Sequence, residues 1–449
     1  MGVAAVPAQA VSVTLTCDPS ETVNGANLQA AVANPANDEV LLPDWCVFTL
    51  TSTSAPFDGL APIARTLSID TVSGSNTATI RRSPATGTPQ FRLFDVITGG
   101  DLTLNNVTIQ NGDVTSDNIS GGGGILLQLG GTLTTNNIHV QGNTGSALAG
   151  AGGLALRSGT ATLNGGSVTD NRAPTSGAGG IFNLTDTTLN DVRVSGNRAQ
   201  DGGGILTSSG LLTVTDGTIS NNTASASSGG LFRAAAARVV LDGTSVTDNR
   251  VTSGSGGGIR SGAASPSSTM TIRNALIAGN IAADGTNPSG GGLWVSAPSP
   301  VIVDNTTITK NRTVGQSGRG GAIAQTGSGN LSLTLQNGTQ VADNTGSGQY
   351  SQGGGIYRSS GGTLTVSDTT VSGNRVSGTG AQTGGVYNLG TGVTFTNTAI
   401  SGNTSPNAPA PGGLYTNNAI TDGGGNSVTG NIPTNCTFSP VIPAFCTLP

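Results

Sequence analysis

The chain has 449 residues, of which 72 are glycine and only 9% are charged, and it carries a formal net charge of −5. That composition excludes a nucleic-acid binder, which needs a dense Lys/Arg footprint, and a helical bundle, which cannot be built from so much glycine and so few Glu and Lys. With a single lysine (Lys310), a single histidine (His139) and no run of about 18 apolar residues, a disordered acidic tail and a membrane-spanning helix are excluded too.

The chain opens with Ala8-Gln9-Ala10, the small-residue pattern of a signal cleavage site, so residues 1–10 read as a residual signal-peptide tail or a disordered end, and the expected location is secreted, extracellular or at a cell surface. Residues 11–100 read as an N-terminal cap with the first coils. Within them Leu28–Asn34 predicts a short amphipathic helix that covers an open strand end. The four cysteines stand as two pairs at opposite ends, Cys17 with Cys46 and Cys436 with Cys446. There is no CxxC, and one histidine does not complete a Cys/His zinc site, so two disulfides formed in an oxidising compartment fit better. Sequence alone does not choose among the three connectivities. Near-neighbour pairing is preferred because the ends of a long solenoid lie far apart.

From 101 to 431 the sequence repeats. Three small residues followed by an aliphatic one occur eleven times, from Gly122-Gly123-Gly124-Ile125 to Pro411-Gly412-Gly413-Leu414, at spacings of 24 to 34 residues. A second mark, aliphatic-x-x-Asn, ends on Asn143, Asn171, Asn197, Asn222, Asn249, Asn280, Asn311, Asn344, Asn374, Asn403 and Asn431. A third places Asn or Asp three or four residues before that aliphatic, as at Asn137, Asp191, Asp216 and Asp242. Between the marks lie short alternating segments such as Leu212-Thr213-Val214, which predict strands with one buried face. A unit with three short strands cannot bury its inner face alone. Stacking equivalent strands in parallel, about 4.8 Å per coil, supplies the partner and turns the marks into ladders. The eleven asparagines are expected at turns, each amide bonding to the equivalent residue one coil on. The fold class is therefore an all-β, single-domain parallel solenoid of about 11–13 coils. Insertions are placed at Ser261–Thr269 and Ala282–Gly290, and residues 432–449 form a C-terminal disulfide cap with Pro433, Pro440 and Pro443.

The alternation of GG[GA]I with [VI]xxN resembles the GGAI/FxxN repeats of chlamydial polymorphic outer-membrane proteins and of bacterial right-handed parallel β-helix repeat proteins more widely, with an aliphatic residue in place of Phe. Leu28–Asn34 with the Cys46–Leu50 strand, and Asn431-Ile432-Pro433-Thr434-Asn435-Cys436 with Cys446, are similar to the two ends of secreted actinobacterial-type members. The resemblance implies right-handed coiling of the pectin lyase-like kind and export. It implies little about activity, because this fold hosts lyases, hydrolases, adhesins and fibres. No autotransporter barrel and no wall-sorting signal is recognised.

The search for chemistry is less productive. Asp191, Asp216 and Asp242 fall on three successive coils, and a stack of carboxylates would repel or recruit a cation such as calcium. Asp242 is one residue out of step, and every coil carries Asn or Asp there, so a turn requirement is the expected role and no catalytic, cofactor or metal site is assigned. His139 is expected outward with no Ser partner or acid beside it. Five Asn-Arg dipeptides, at Arg172, Arg198, Arg250, Arg312 and Arg375, outline an interrupted basic stripe, read first as a solvated edge that blocks strand pairing. An outward threonine column (Thr103, Thr134, Thr162, Thr188, Thr213, Thr271, Thr365, Thr394) is broken at Val240 and Ile302. The expected function is a non-catalytic rod for surface, matrix or adhesive contacts, with polysaccharide or a cell-surface protein as partner and no nucleic acid. The alternatives are a polysaccharide lyase or glycoside hydrolase and, more remotely, an ice-binding protein.

Overall fold

The computed structural model describes residues 11–447 apart from 117–120, 147–149, 263–264, 284–285, 360 and 407–409. The signal-like residues 1–10 lie outside the described residues, as do parts of both insertion loops.

Period-2 alternation decides the coil. In Leu211–Thr215 the side chains of Leu212 and Val214 are buried while Thr213 is half-exposed. Leu212 pairs in parallel with Thr187 on one side and Val239 on the other. One representative coil holds strands Ile205–Thr207, Leu211–Thr215, Thr218–Ser220 and Thr223–Ala224. Repeated along the chain, these form a 12-stranded sheet, a 27-stranded sheet and a 7-stranded sheet. The large sheet covers two faces because Thr132–Gln141 and Thr160–Thr169 run unbroken around the corner between them. The protein is a parallel β-solenoid of about 14 turns.

One detail corrects the sequence expectation and another refines it. First, seven coils carry a fourth strand, from Arg198–Ala199 to Arg375–Ser377, rather than three per coil. Here the residue after the ladder asparagine faces out and the next faces in, where Ala224, Val251 and Ala282 pack as a small apolar cluster. Second, the first coils, expected within residues 11–100, pair without the glycine mark. Strands Glu39–Leu42 and Thr66–Thr71 join the same ladder as Asp101–Asn105. Their alternation suffices for pairing without the small-residue motif.

Two corners need left-handed backbone. At the first, Asp191 and Asp216 adopt φ of 52° and 53°, but in the coil of Asp242 the left-handed residue is Gly243 at 62°. At the second, the left-handed residue is the one before the ladder asparagine, such as Asp248 at 54° or Lys310 at 55°. The eleven ladder asparagines are thus not themselves the turn residues, and the expected amide bonds between coils, described below, are what select them.

The N-terminal helix, α1 (Glu21–Ala33), begins a full two turns before the expected Leu28. Gly25 permits this, because a Cβ there would lie 2.1 Å from the Thr49 carbonyl oxygen. The helix buries Leu28, Ala31 and Val32 on the first coil and stops at extended Asn34, ahead of Pro35. Disulfides join Cys17 to Cys46 beside α1 and Cys436 to Cys446 at the other end, with Cα separations of 5.8 and 6.4 Å. Among the described residues no helix is long and apolar enough to cross a membrane.

Candidate functional surfaces

The ladder asparagines line the second corner from inside. All eleven are buried. Asn249 is typical: its Nδ2 donates to the Ile219 carbonyl at 2.8 Å and to Asn280 Oδ1 at 3.0 Å, while its Oδ1 accepts from the backbone N–H and Nδ2 of Asn222. Each amide therefore bonds both to the coil before and to the coil after. This satisfies four buried polar groups per coil that would otherwise stand unpaired. The column ends on Asn435, whose Oδ1 accepts from Asn431 in the place of a further coil.

The three aspartates singled out for chemistry do not form one site. Asp191 and Asp216 sit at the exposed corner, and the Asp242 carboxylate belongs to a different column. Asp242 accepts from Asn274 at 3.0 Å and pairs with Arg273 at 2.8 Å; these two partners hold its carboxyl below the usual carboxylate range. Among the described residues no three His, Cys, Asp or Glu side chains gather as a metal site. A chain of amide-to-carboxylate bonds is what the corner supplies instead, for example from Asn397 to Asp368 at 3.0 Å.

His139 does have a serine partner, contrary to the sequence expectation. Its Nδ1 lies 2.9 Å from Ser167 Oγ, the residue paired with it one coil on. Partial burial lowers its pKa, which favours the neutral imidazole. The pair lies on a flat sheet face, and no carboxylate hydrogen-bonds the imidazole among the described residues, so the orienting part of a nucleophilic triad is missing.

Sequence reasoning missed two further groups. Arg233 and Arg358 point into the solenoid wall and are fully buried. Arg233 donates to the Ser268 carbonyl and to Ser261 and Ser299; Arg358 donates to Gln325 Oε1, Asn388 Oδ1 and the Gly362 carbonyl. Desolvation pushes both guanidinium groups down to about 10. On the outer side of the same 12-stranded sheet, Arg260 lies between the rings of Phe232 and Trp294, 4.7 and 4.4 Å from their centroids. Farther along, Tyr357, Tyr387 and Tyr415 stack at 5.7 and 4.6 Å. The signal for both is register, since Phe232, Arg260 and Trp294 occupy one position in successive coils.

Two outward columns remain accessible. The threonine column is longer than the sequence suggested, because Thr334 and Thr421 join it through Ile302 and Thr394. The five dipeptide arginines are exposed and share one register, continued by Thr223, Ile281 and Thr345 on the coils between.

These surfaces and the coil geometry define the class: a disulfide-bonded parallel β-solenoid whose accessible features, among the described residues, include two outward columns. Comparison of the chain with protein-family models, curated proteins and solved structures gives no match.

Proposed function

We propose that the protein is an exported rod that presents its outward columns and loops to glycans or cell-surface proteins and performs no catalysis. The observation that carries this reading is the flat column from Ser68 to Thr421, in which one outward residue per coil is held at a fixed height by strand register. Such a surface grows by adding coils, which suits recognition of a long or repetitive partner better than closure around a small substrate. Export is supported by the two disulfides and by the resemblance of the repeat marks to those of secreted bacterial β-helix proteins. The test is a panel of immobilised polysaccharides, read for binding and for released product. Retention on at least one polymer without cleavage is expected. Unsaturated or reducing-end product from a uronic-acid polymer, with or without calcium, would overturn the reading in favour of a lyase or hydrolase.

Ice binding is a second reading, favoured by one observation: Thr334 and Thr421 lengthen the threonine column. Thermal hysteresis of the purified protein decides it.

A further inference from the structure

We infer that the row Arg172, Arg198, Arg250, Arg312 and Arg375 is the binding track for an extended acidic polysaccharide, one that runs along the solenoid axis. The inference rests on the reading of the protein as a glycan-binding rod and names the ligand class and the face.

The geometry is regular. Arg172 and Arg198 lie on adjacent coils, and Arg198, Arg250, Arg312 and Arg375 then follow on every second coil. With a rise of about 4.8 Å per coil, the later guanidinium groups stand about 10 Å apart along a straight line. One coil is close to the length of one pyranose in an extended polysaccharide chain. A polymer with an acid group on alternate sugars therefore meets an arginine at each acid. Thr223 and Thr345, on two of the intervening coils, offer hydroxyl groups to the sugars between. The strand pairing that sets this spacing is backbone hydrogen bonding, so the row is rigid before any ligand arrives.

The five side chains are also free to act. All are exposed, and among the described residues none takes part in an ion pair or a side-chain hydrogen bond. Asp201, three residues after Arg198, accepts from the Gly177 N–H and the Ser227 hydroxyl. Asp170, Asp248 and Asp343 stand at the corner before this row, in the coils of Arg172, Arg250 and Thr345. Each turns one oxygen against the backbone of the next coil, at Gly196, Gly279 and Gly373 respectively. Lys310 occupies the same corner in the coil of Arg312 and adds a cation. The chain as a whole has a charge of −5, so a straight line of unpaired cations is a local departure from the overall balance. A shallow groove of about 390 Å³ lies where Arg172 and Arg198 come together, walled by Pro174 and Gln200, and supplies a place on the row where a sugar ring can be held on several sides. Arginine is the suitable cation because its planar fork meets carboxylate or sulfate oxygens in pairs.

The experiment measures binding of the purified full chain to hyaluronan, whose acid groups fall on alternate sugars, with neutral dextran and duplex DNA as comparators. Three proteins are compared: the wild type, the triple variant Arg250→Gln, Arg312→Gln, Arg375→Gln, and the control Arg193→Gln, which removes an exposed arginine from a sheet face that carries neither the threonine column nor the arginine row. The expected result is hyaluronan binding that weakens as NaCl rises, falls by about tenfold or more in the triple variant with a shallower salt slope, and is unchanged in the control. Equal binding by wild type and triple variant, or preference for DNA over hyaluronan, would overturn the inference. Retention on dextran by all three proteins without any on hyaluronan would overturn the track while leaving the glycan-binding rod in place. Cleavage of the polymer would overturn the rod reading itself. Thermal unfolding of the three proteins reports whether the surface substitutions leave the fold intact.

Discussion

Asn249 shows how a single side chain ties three coils together. Its amide donates backward to Ile219 and forward to Asn280, and accepts from Asn222, in a buried corner. Asn249→Ala strands the Ile219 carbonyl and the Asn222 amide in a buried corner, so a loss of about 2–5 kcal/mol is expected in chemical denaturation. Asn249→Asp is expected to cost more near neutral pH, since a carboxylate oxygen would face two acceptors in a buried site. Burial raises the folded pKa of such an acid, so the folded state holds its proton more tightly than the unfolded state. The loss is therefore full above the raised pKa and is relieved as pH falls through it. The gap to wild type should be narrower at about pH 4 than at about pH 7. The asparagine column and its amide bond from coil to coil were legible in the sequence, but the place of the asparagine inside the corner was not. The mark suggests a turn residue, whereas the left-handed position belongs to the neighbour, Asp248 in this coil. The Ser167 partner of His139 was hidden for a related reason: a contact across coils joins residues 28 apart in sequence. The buried Arg233 and Arg358 went unseen because composition favours exposed arginine, and only register reveals that their strand position faces inward.

At the scale of elements, the alternating strands were readable because their inner face is aliphatic and their outer face is threonine. The fourth strand was not, because two or three residues such as Thr223–Ala224 carry too short a pattern to show a period. The helix boundary failed at Thr22–Gly25, where β-branched residues and a glycine argue against helix; the gain from packing Gly25 directly on Thr49 overrides that local preference. The caps have a clear physical task. The last strands, Leu414–Thr416, Ile420–Asp422 and Ser427–Thr429, would present unpaired backbone without the segment that follows. Asn435 closes the amide column there, and Thr447 donates to the Val428 carbonyl at 2.9 Å. A chain truncated after Gly430 is expected to associate end to end, seen as larger species in size-exclusion chromatography with light scattering. A monodisperse monomer of the truncated chain would contradict this role of the cap.

For the whole molecule, about 14 turns at about 4.8 Å give a rod on the order of 65 Å long with one continuous aliphatic core. The expectation of about 11–13 coils comes close to this count, and the first turns, through Glu39–Leu42 and Thr66–Thr71, lie in the region read as the first coils. Function was far less legible than fold. The residues that repeat serve stacking, and the surface features are made of ordinary threonines and arginines whose alignment exists only once the coils are wound. The arginine row illustrates this: Thr223, Ile281 and Thr345 interrupt it on alternate coils, and strand register sets all of these residues in one column.

That winding is tested most directly by pairs of cysteines placed across coils. Thr213 and Val240 are strand partners on neighbouring coils, and Thr271 is the partner of Val240 one coil farther. Adjacent parallel strands stand about 4.8 Å apart, within disulfide range, whereas a separation of two coils is about 10 Å and is not. Oxidation should therefore cross-link the Thr213→Cys, Val240→Cys variant rapidly and leave the Thr213→Cys, Thr271→Cys variant open. Failure of the first pair, or equal cross-linking of the second, would contradict the solenoid register on which every surface described above depends.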